Sequence, residues 1–234
     1  MTPSSLPRSP YQALQQIWFH PKCVFRALKS AKGWSWWPFL LLTLGTAGVQ
    51  WLYLLRVDFD WYRHTVLAPS LGALAPADRE SLLAMFSANQ WAAVTLITSL
   101  LGMVVINALV ALYLSRMTRL DEENLEGFSD WYGLCWWLQL PMLVSVLVST
   151  LMILAASGEI EPSLLSPLAL NRLLNLPMEA TGYALAESIS LLLAWSLLLA
   201  YWAIRTWTKL NRTTTVVIVL LPWLALLLIQ TLLA

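Results

Sequence analysis

The chain has 234 residues, of which 12% are charged and 59% hydrophobic, with 14 Trp and a formal net charge of +1. Soluble domains carry about 25% charged residues, so this composition excludes a water-soluble globular fold. The near-neutral balance also excludes a general nucleic-acid footprint. What remains is an all-α, polytopic membrane protein. The two cysteines, Cys23 and Cys135, supply neither a disulfide framework nor a zinc pattern.

Residues 1–33 read as a cytoplasmic N-terminal segment, and residues 34–234 as the membrane domain. The opening MTPSSLPRSP lacks the apolar core of a cleaved signal peptide. After Pro21, a helical period of about 100° per residue puts Lys22, Arg26 and Lys29 on one face and Val24, Phe25 and Leu28 on the other. Such a helix lies in the membrane interface, where cations meet headgroups and apolar groups meet acyl chains. Gly33 is expected to end it, and Trp34, Trp36 and Trp37 sit where an aromatic belt marks headgroup level.

A helix needs ~20 apolar residues to cross the hydrocarbon core. Five stretches qualify, at about 36–55, 91–114, 131–155, 183–206 and 213–234. Lys and Arg set the orientation. Arg8, Lys22, Arg26, Lys29, Lys32, Arg116, Arg119, Arg205, Lys209 and Arg212 fall on one side. Only Arg56, Arg63, Arg79 and Arg172 fall on the other. The positive-inside rule then puts the N-terminus in the cytoplasm and the C-terminus outside.

Two outer connections are long. In the first, 76–89 reads as a short amphipathic helix with Asp78 and Glu80 in its first turn. In the second, Ser166 is expected to cap a helix with Pro167 at its first position, ending at Pro177. The inner connections are short, so the second and third spans form a tight hairpin, as do the fourth and fifth.

Polar groups inside spans are candidates for function, because lipid does not solvate them. Asn107 lies seven residues before Leu114, and Gln139 eight residues after Trp131. Both are therefore roughly 11 Å from the inner face at ~1.5 Å per residue. In a tight hairpin their amides meet as an interhelical clip. Glu187 is the carboxylate within the expected fourth span. The apolar residues after it return enough transfer free energy, ~0.3–0.6 kcal/mol each, for the span to insert with the acid charged. Pro141 and Pro222 are kink candidates, and Gly45 and Gly48 favour close helix contact on the first span. Asp58, Asp60 and His64 stand near one another but lack recognised metal-ligand spacing, and they read as a solvated loop. No nucleophile elbow, Walker loop or paired-acid arrangement is present.

Three stretches carry a family resemblance. HPKCVFRALKSAKGWSWWPFLLL (20–42) is a Pro-led amphipathic helix running into Trp-Pro-Phe at the first span. FSDWYGLCWWLQLPMLVSVLV (128–148) has an aromatic entry followed by Pro. The third stretch is the hairpin of 191–228. In this order they resemble the Yip family, the Ypt/Rab-interacting integral membrane proteins, in its short bacterial form. Eukaryotic members act in vesicle traffic with small GTPases. This chain lacks their Asp-Leu-Tyr-Gly-Pro motif before the first span, and Asp130-Trp131-Tyr132-Gly133 precedes the third span instead.

The resemblance implies a small bacterial inner-membrane protein without catalytic residues or a cofactor. The expected function is to organise or support other membrane components. Lys22, Arg26 and Lys29 would contact anionic lipid at the cytoplasmic face. A protein partner, or a second copy, would dock on the membrane-embedded faces or on the acidic loop of 121–130. The alternative is a small transporter, channel or lipid scramblase whose cavity is lined by Glu187, Asn107 and Gln139.

Overall fold

The computed structural model describes residues 6–85, 87–178 and 180–233. Among these, helix dominates. The only β features are two isolated bridges, Val57 with Gly158 and Ala169 with Ser190.

The N-terminal segment folds as two short helices. In α1 (Pro10–Gln16) the Ser9 hydroxyl accepts from the Gln12 N–H at 3.3 Å. In α2 (Pro21–Leu28) His20 takes the cap position and Pro21 the first helical position, where its missing N–H costs nothing. This helix ends at Leu28, a turn earlier than Gly33. Gly33 instead adopts φ +83, the left-handed turn that redirects the chain into α3 (Trp36–Arg56).

Past a series of short turns come α4 (Pro76–Met85) and α5 (Ala88–Met117). The helix expected over 76–89 does not reach residue 89 as one element, because Ser87 opens α5 with a reciprocal Ser87–Gln90 capping box. Next are α6 (Phe128–Leu138), α7 (Met142–Ala155), α8 (Leu191–Trp207) and α9 (Arg212–Leu233).

Three features depart from the sequence reading. The expected third span is not one helix: α6 and α7 meet at a 41° bend across Gln139–Pro141. Pro141 lacks the N–H that would continue the ladder, so Met142 starts a new helix. The expected fourth span is also divided, into a short helix Tyr183–Ser188 and α8. There the Ser190 hydroxyl accepts from the Leu192 N–H at 3.2 Å and caps α8. Backbone pairing fixes this break, since Leu170 N–H donates to Ile189 O at 2.7 Å and Leu191 N–H to Leu168 O at 3.0 Å. That pairing also displaces the helix expected from Ser166. A 3-10 turn at Pro162–Leu165 ends at Ser166, and the α-helical turn comes later, at Leu170–Leu173. Pro222, by contrast, sits inside a continuous α9.

Among the described residues, α3, α5 and α9 are long and apolar enough to cross a membrane, and the bent pair α6–α7 makes a fourth if taken as one span. Helix α8 is apolar but has 17 residues.

Contacts between connections define two ends. At one, Lys29 Nζ stands 3.3 Å from Glu126 Oε1, and Lys209 N–H donates to Asp121 Oδ2 at 2.7 Å. At the other, Tyr53 OH donates to Ile160 O at 2.7 Å, Asp58 N–H to Gly158 O at 2.8 Å and Ser188 OH to Gln230 Oε1 at 3.0 Å. The three connections grouped as the basic side in the sequence do converge at one end.

Two clusters hold the bundle. At the end of the N-terminal helices, Phe25, Trp131, Trp137, Ala203 and Ile204 are fully buried. At the opposite end Tyr53, Ile153 and Ile160 form a second core. Between them α3 packs on α7. A Cβ at Gly45 would stand 3.2 Å from Val146 Cγ1, whereas one at Gly48 would meet nothing within 4 Å. Only the first of the two glycines therefore serves helix contact.

Candidate functional site

The apolar face of α2 is covered by the protein itself. Val24, Phe25 and Ala27 are buried against α8, and the Trp207 indole N–H donates to Phe25 O at 2.7 Å. Amphipathic periodicity reports that one face is buried and leaves open whether lipid or protein covers it. Here the cover is protein, which corrects the acyl-chain contact expected for this face.

The cations of α2 then differ in role. Lys22 Nζ lies 3.6 Å from the centroid of the Trp202 ring, a cation–π contact. Arg26 is exposed. Lys29 is committed twice, to Glu126 and, at 3.1 Å, to Trp207 O. It therefore clamps the N-terminal segment to two other connections.

Beside this clamp lies a cleft of about 640 Å³, between the turn of residues 29–36 and the start of α6. Lys29 and Lys32 line it from one side, Glu126 and Asp130 from the other, and Trp36, Phe39, Tyr132 and Trp136 form its aromatic wall. The wall is built by edge contacts, with ring centroids at 5.4 Å for Trp36–Phe39, 4.9 Å for Phe39–Trp136 and 5.9 Å for Tyr132–Trp136. Gly133 lets the two sides approach: a Cβ there would stand 2.7 Å from Ser35 Oγ and 3.2 Å from Ser35 Cβ. Asp130 caps α6 by accepting the Gly127 N–H at 2.8 Å through Oδ2. Nearby, the exposed Lys209 ammonium donates to the Glu123 carboxylate, and this hydrogen bond holds it above its usual pKa range.

The intramembrane polar candidates separate into two groups. Asn107, fully buried on α5, accepts the Gln139 Nε2–H at 2.7 Å, so the structure brings these two together. Gln139 sits at the end of α6, where the helix breaks. Glu187 is elsewhere, exposed on the short helix before α8 at the opposite end of the bundle. None of the three lines the cleft. Asp58 caps its own turn, with Oδ1 accepting from the N–H of Asp60 at 2.9 Å and of Trp61 at 3.1 Å. Asp60 pairs with Arg63 at 3.5 Å.

Sequence reasoning missed two interhelical amides. Gln50 Nε2–H donates to Ser99 Oγ at 2.8 Å between α3 and α5, and Gln230 accepts from Ser188. Their signal was the one used for Asn107, a polar side chain inside an apolar run. It also passed over Lys32 and the cleft role of Asp130, whose signal was the glycine in an otherwise bulky aromatic helix start.

The Asn107–Gln139 clip yields a direct test. In a double-mutant cycle with Asn107→Leu and Gln139→Leu, unfolding in mixed micelles should show a coupling of ~0.6 kcal/mol, and at most ~2. Strict additivity would mean that the bond contributes nothing to stability.

Comparison with curated proteins and with solved structures gave no match. The Yip1 domain, in contrast, matches residues 16–233, a range that takes in every labelled helix from α2 to α9. With its apolar helices and a domain match over nearly its whole length, this chain belongs to the Yip family of integral membrane proteins.

Proposed function

We propose that this protein is a non-enzymatic organiser of its membrane, crossing it five times and supporting other components through lipid and protein contacts. The observation behind this reading is how the bundle spends its polar groups. Asn107 bonds Gln139, Gln50 bonds Ser99, Ser188 bonds Gln230, and Tyr113 OH donates to Ile218 O. The outward faces are apolar, with Ile97, Leu101, Ile106 and Leu109 of α5 and Leu224, Leu228 and Ile229 of α9 exposed. These hydrogen bonds tie helix to helix and hold the bundle's shape, even though Asn107 Nδ2 and Gln50 Oε1 keep no partner among the described residues, and apolar flanks are what a membrane neighbour packs against.

The setting is the bacterial inner membrane, with the N-terminus in the cytoplasm and the C-terminus outside. The likeness to short bacterial members supports the setting, and the positive-inside distribution with the gathering of the three basic connections at one end supports the orientation. Arg26 and Lys22 face anionic lipid there, each worth ~1 kcal/mol near the surface. The partner on the apolar flanks is another membrane protein or a second copy of this chain.

The test is gentle affinity isolation from native membranes, with protein and lipid mass spectrometry on one sample. A protein companion or second copy at fixed stoichiometry is the expected result. A solitary chain enriched in a small solute would overturn the organising role and favour a carrier.

A further inference from the structure

Building on the membrane-organising reading, we infer that the cleft between the 29–36 turn and α6 is a binding site for one zwitterionic phospholipid whose headgroup carries a primary ammonium. Charge is the first reason. Lys29 and Lys32 face Glu126 and Asp130 across one cleft, so its lining is formally neutral yet strongly divided. An anionic headgroup would find Lys29 already neutralised by Glu126 at 3.3 Å, with both carboxylates opposing it. A headgroup with both signs has a counterpart for each.

The individual groups fit the two ends of such a headgroup. Lys32 is exposed and its ammonium has no partner among the described residues, which leaves it available to a phosphate. Asp130 uses Oδ2 to cap α6, leaving Oδ1 for an N–H donor. Ser129 and the Tyr132 ring stand on the same wall. A primary ammonium has three N–H groups to give to such acceptors, whereas a trimethylated one has none. The aromatic faces attract either cation and do not decide between them.

Shape is the second reason. The cleft continues from Asp130 to Trp136, which is six residues or ~9 Å along α6, and there Phe39 and Val104 join the lining. A polar mouth leading to an apolar, helix-walled interior suits a headgroup with the start of its acyl chains. Its volume of about 640 Å³ falls within the usual ligand-site range. The aromatic side chains at its rim are those that sit at headgroup depth.

The experiment uses the purified, delipidated full-length chain in detergent. Native mass spectrometry would follow competition among phosphatidylethanolamine, phosphatidylcholine and phosphatidylglycerol at equal concentration, with soluble glycerophosphoethanolamine as a separate arm. Phosphatidylethanolamine should win. Asp130→Asn keeps an oxygen for the Gly127 N–H, so α6 stays capped. It should weaken phosphatidylethanolamine binding by about tenfold while sparing phosphatidylglycerol. Lys32→Gln, at an exposed position on the turn, should weaken every phosphate lipid.

Preference for phosphatidylglycerol, equal binding of the choline lipid, or indifference to both substitutions would overturn the assignment. So would a soluble headgroup that binds as tightly as the lipid. These outcomes are read on the isolated chain, whereas the organising role is read from companions in native membranes. Each therefore fails separately.

Discussion

Replacing Trp131 by Ala is expected to be the most damaging single change in this protein, lowering stability by ~3–5 kcal/mol. The indole is fully buried at the meeting of α2, α6 and α8, and its ring centroid lies 5.1 Å from that of Trp207. Trp207 in turn donates to Phe25 O and accepts Lys29 through its own carbonyl. A cavity at Trp131 thus loosens both the N-terminal helices and the connection between α8 and α9. Thermal unfolding in detergent should show the loss. Trp131→Phe should cost less, because it leaves a smaller cavity and the lost indole N–H has no partner among the described residues. Trp37→Ala, at a half-exposed position, should cost about 1 kcal/mol or less. Equal losses at Trp131 and Trp37 would refute a packing role for the buried ring.

The second large effect belongs to Gly133. In a helix interior, Gly→Ala ordinarily stabilises by ~1 kcal/mol. Here the new methyl would stand 2.7 Å from Ser35 Oγ and 3.2 Å from Ser35 Cβ. The hydroxyl can rotate away, but the Cβ is fixed to the backbone of the turn. Gly133→Ala should therefore lose its usual benefit, and Gly133→Val should destabilise by ~1–3 kcal/mol, as overpacking does. Ser35→Gly should rescue the valine variant, because it removes the atoms in the way. Failure of that rescue in a double-mutant cycle would show that the approach of turn and helix is not limiting. The same pair reports on the cleft, since pushing Ser35 away widens the gap between Lys32 and Asp130.

The long apolar runs were readable because each carries its own boundaries. Trp36 opens α3 and Arg56 closes it, and Ser87 with Gln90 caps α5. The Asn107–Gln139 contact was readable too, since a short connection between antiparallel helices ties residue count to depth. The two broken spans were harder. Pro141 announced a kink, yet only the structure shows helix ending and restarting there. The break before α8 depends on residues 168–170 pairing with 189–191, a partner about 20 residues away that no local period encodes. The cleft was the least legible part. Its acids, its lysines and its glycine were all in view, but their meeting depends on the turn after α2 folding back onto α6.

Helix α8 has one more consequence, for the bilayer around it. Seventeen residues rise ~25 Å, against a hydrocarbon thickness of ~30 Å. The thirty residues of α5, by contrast, rise ~45 Å. If α8 crosses, as proposed here, lipid beside it must thin by several ångströms while lipid beside α5 need not. Such a lopsided mismatch costs fractions of a kcal/mol per ångström, enough to favour shorter or more disordered acyl chains along one flank. The protein would then carry its own asymmetric annulus, and it would sort toward membranes thin enough to relieve it.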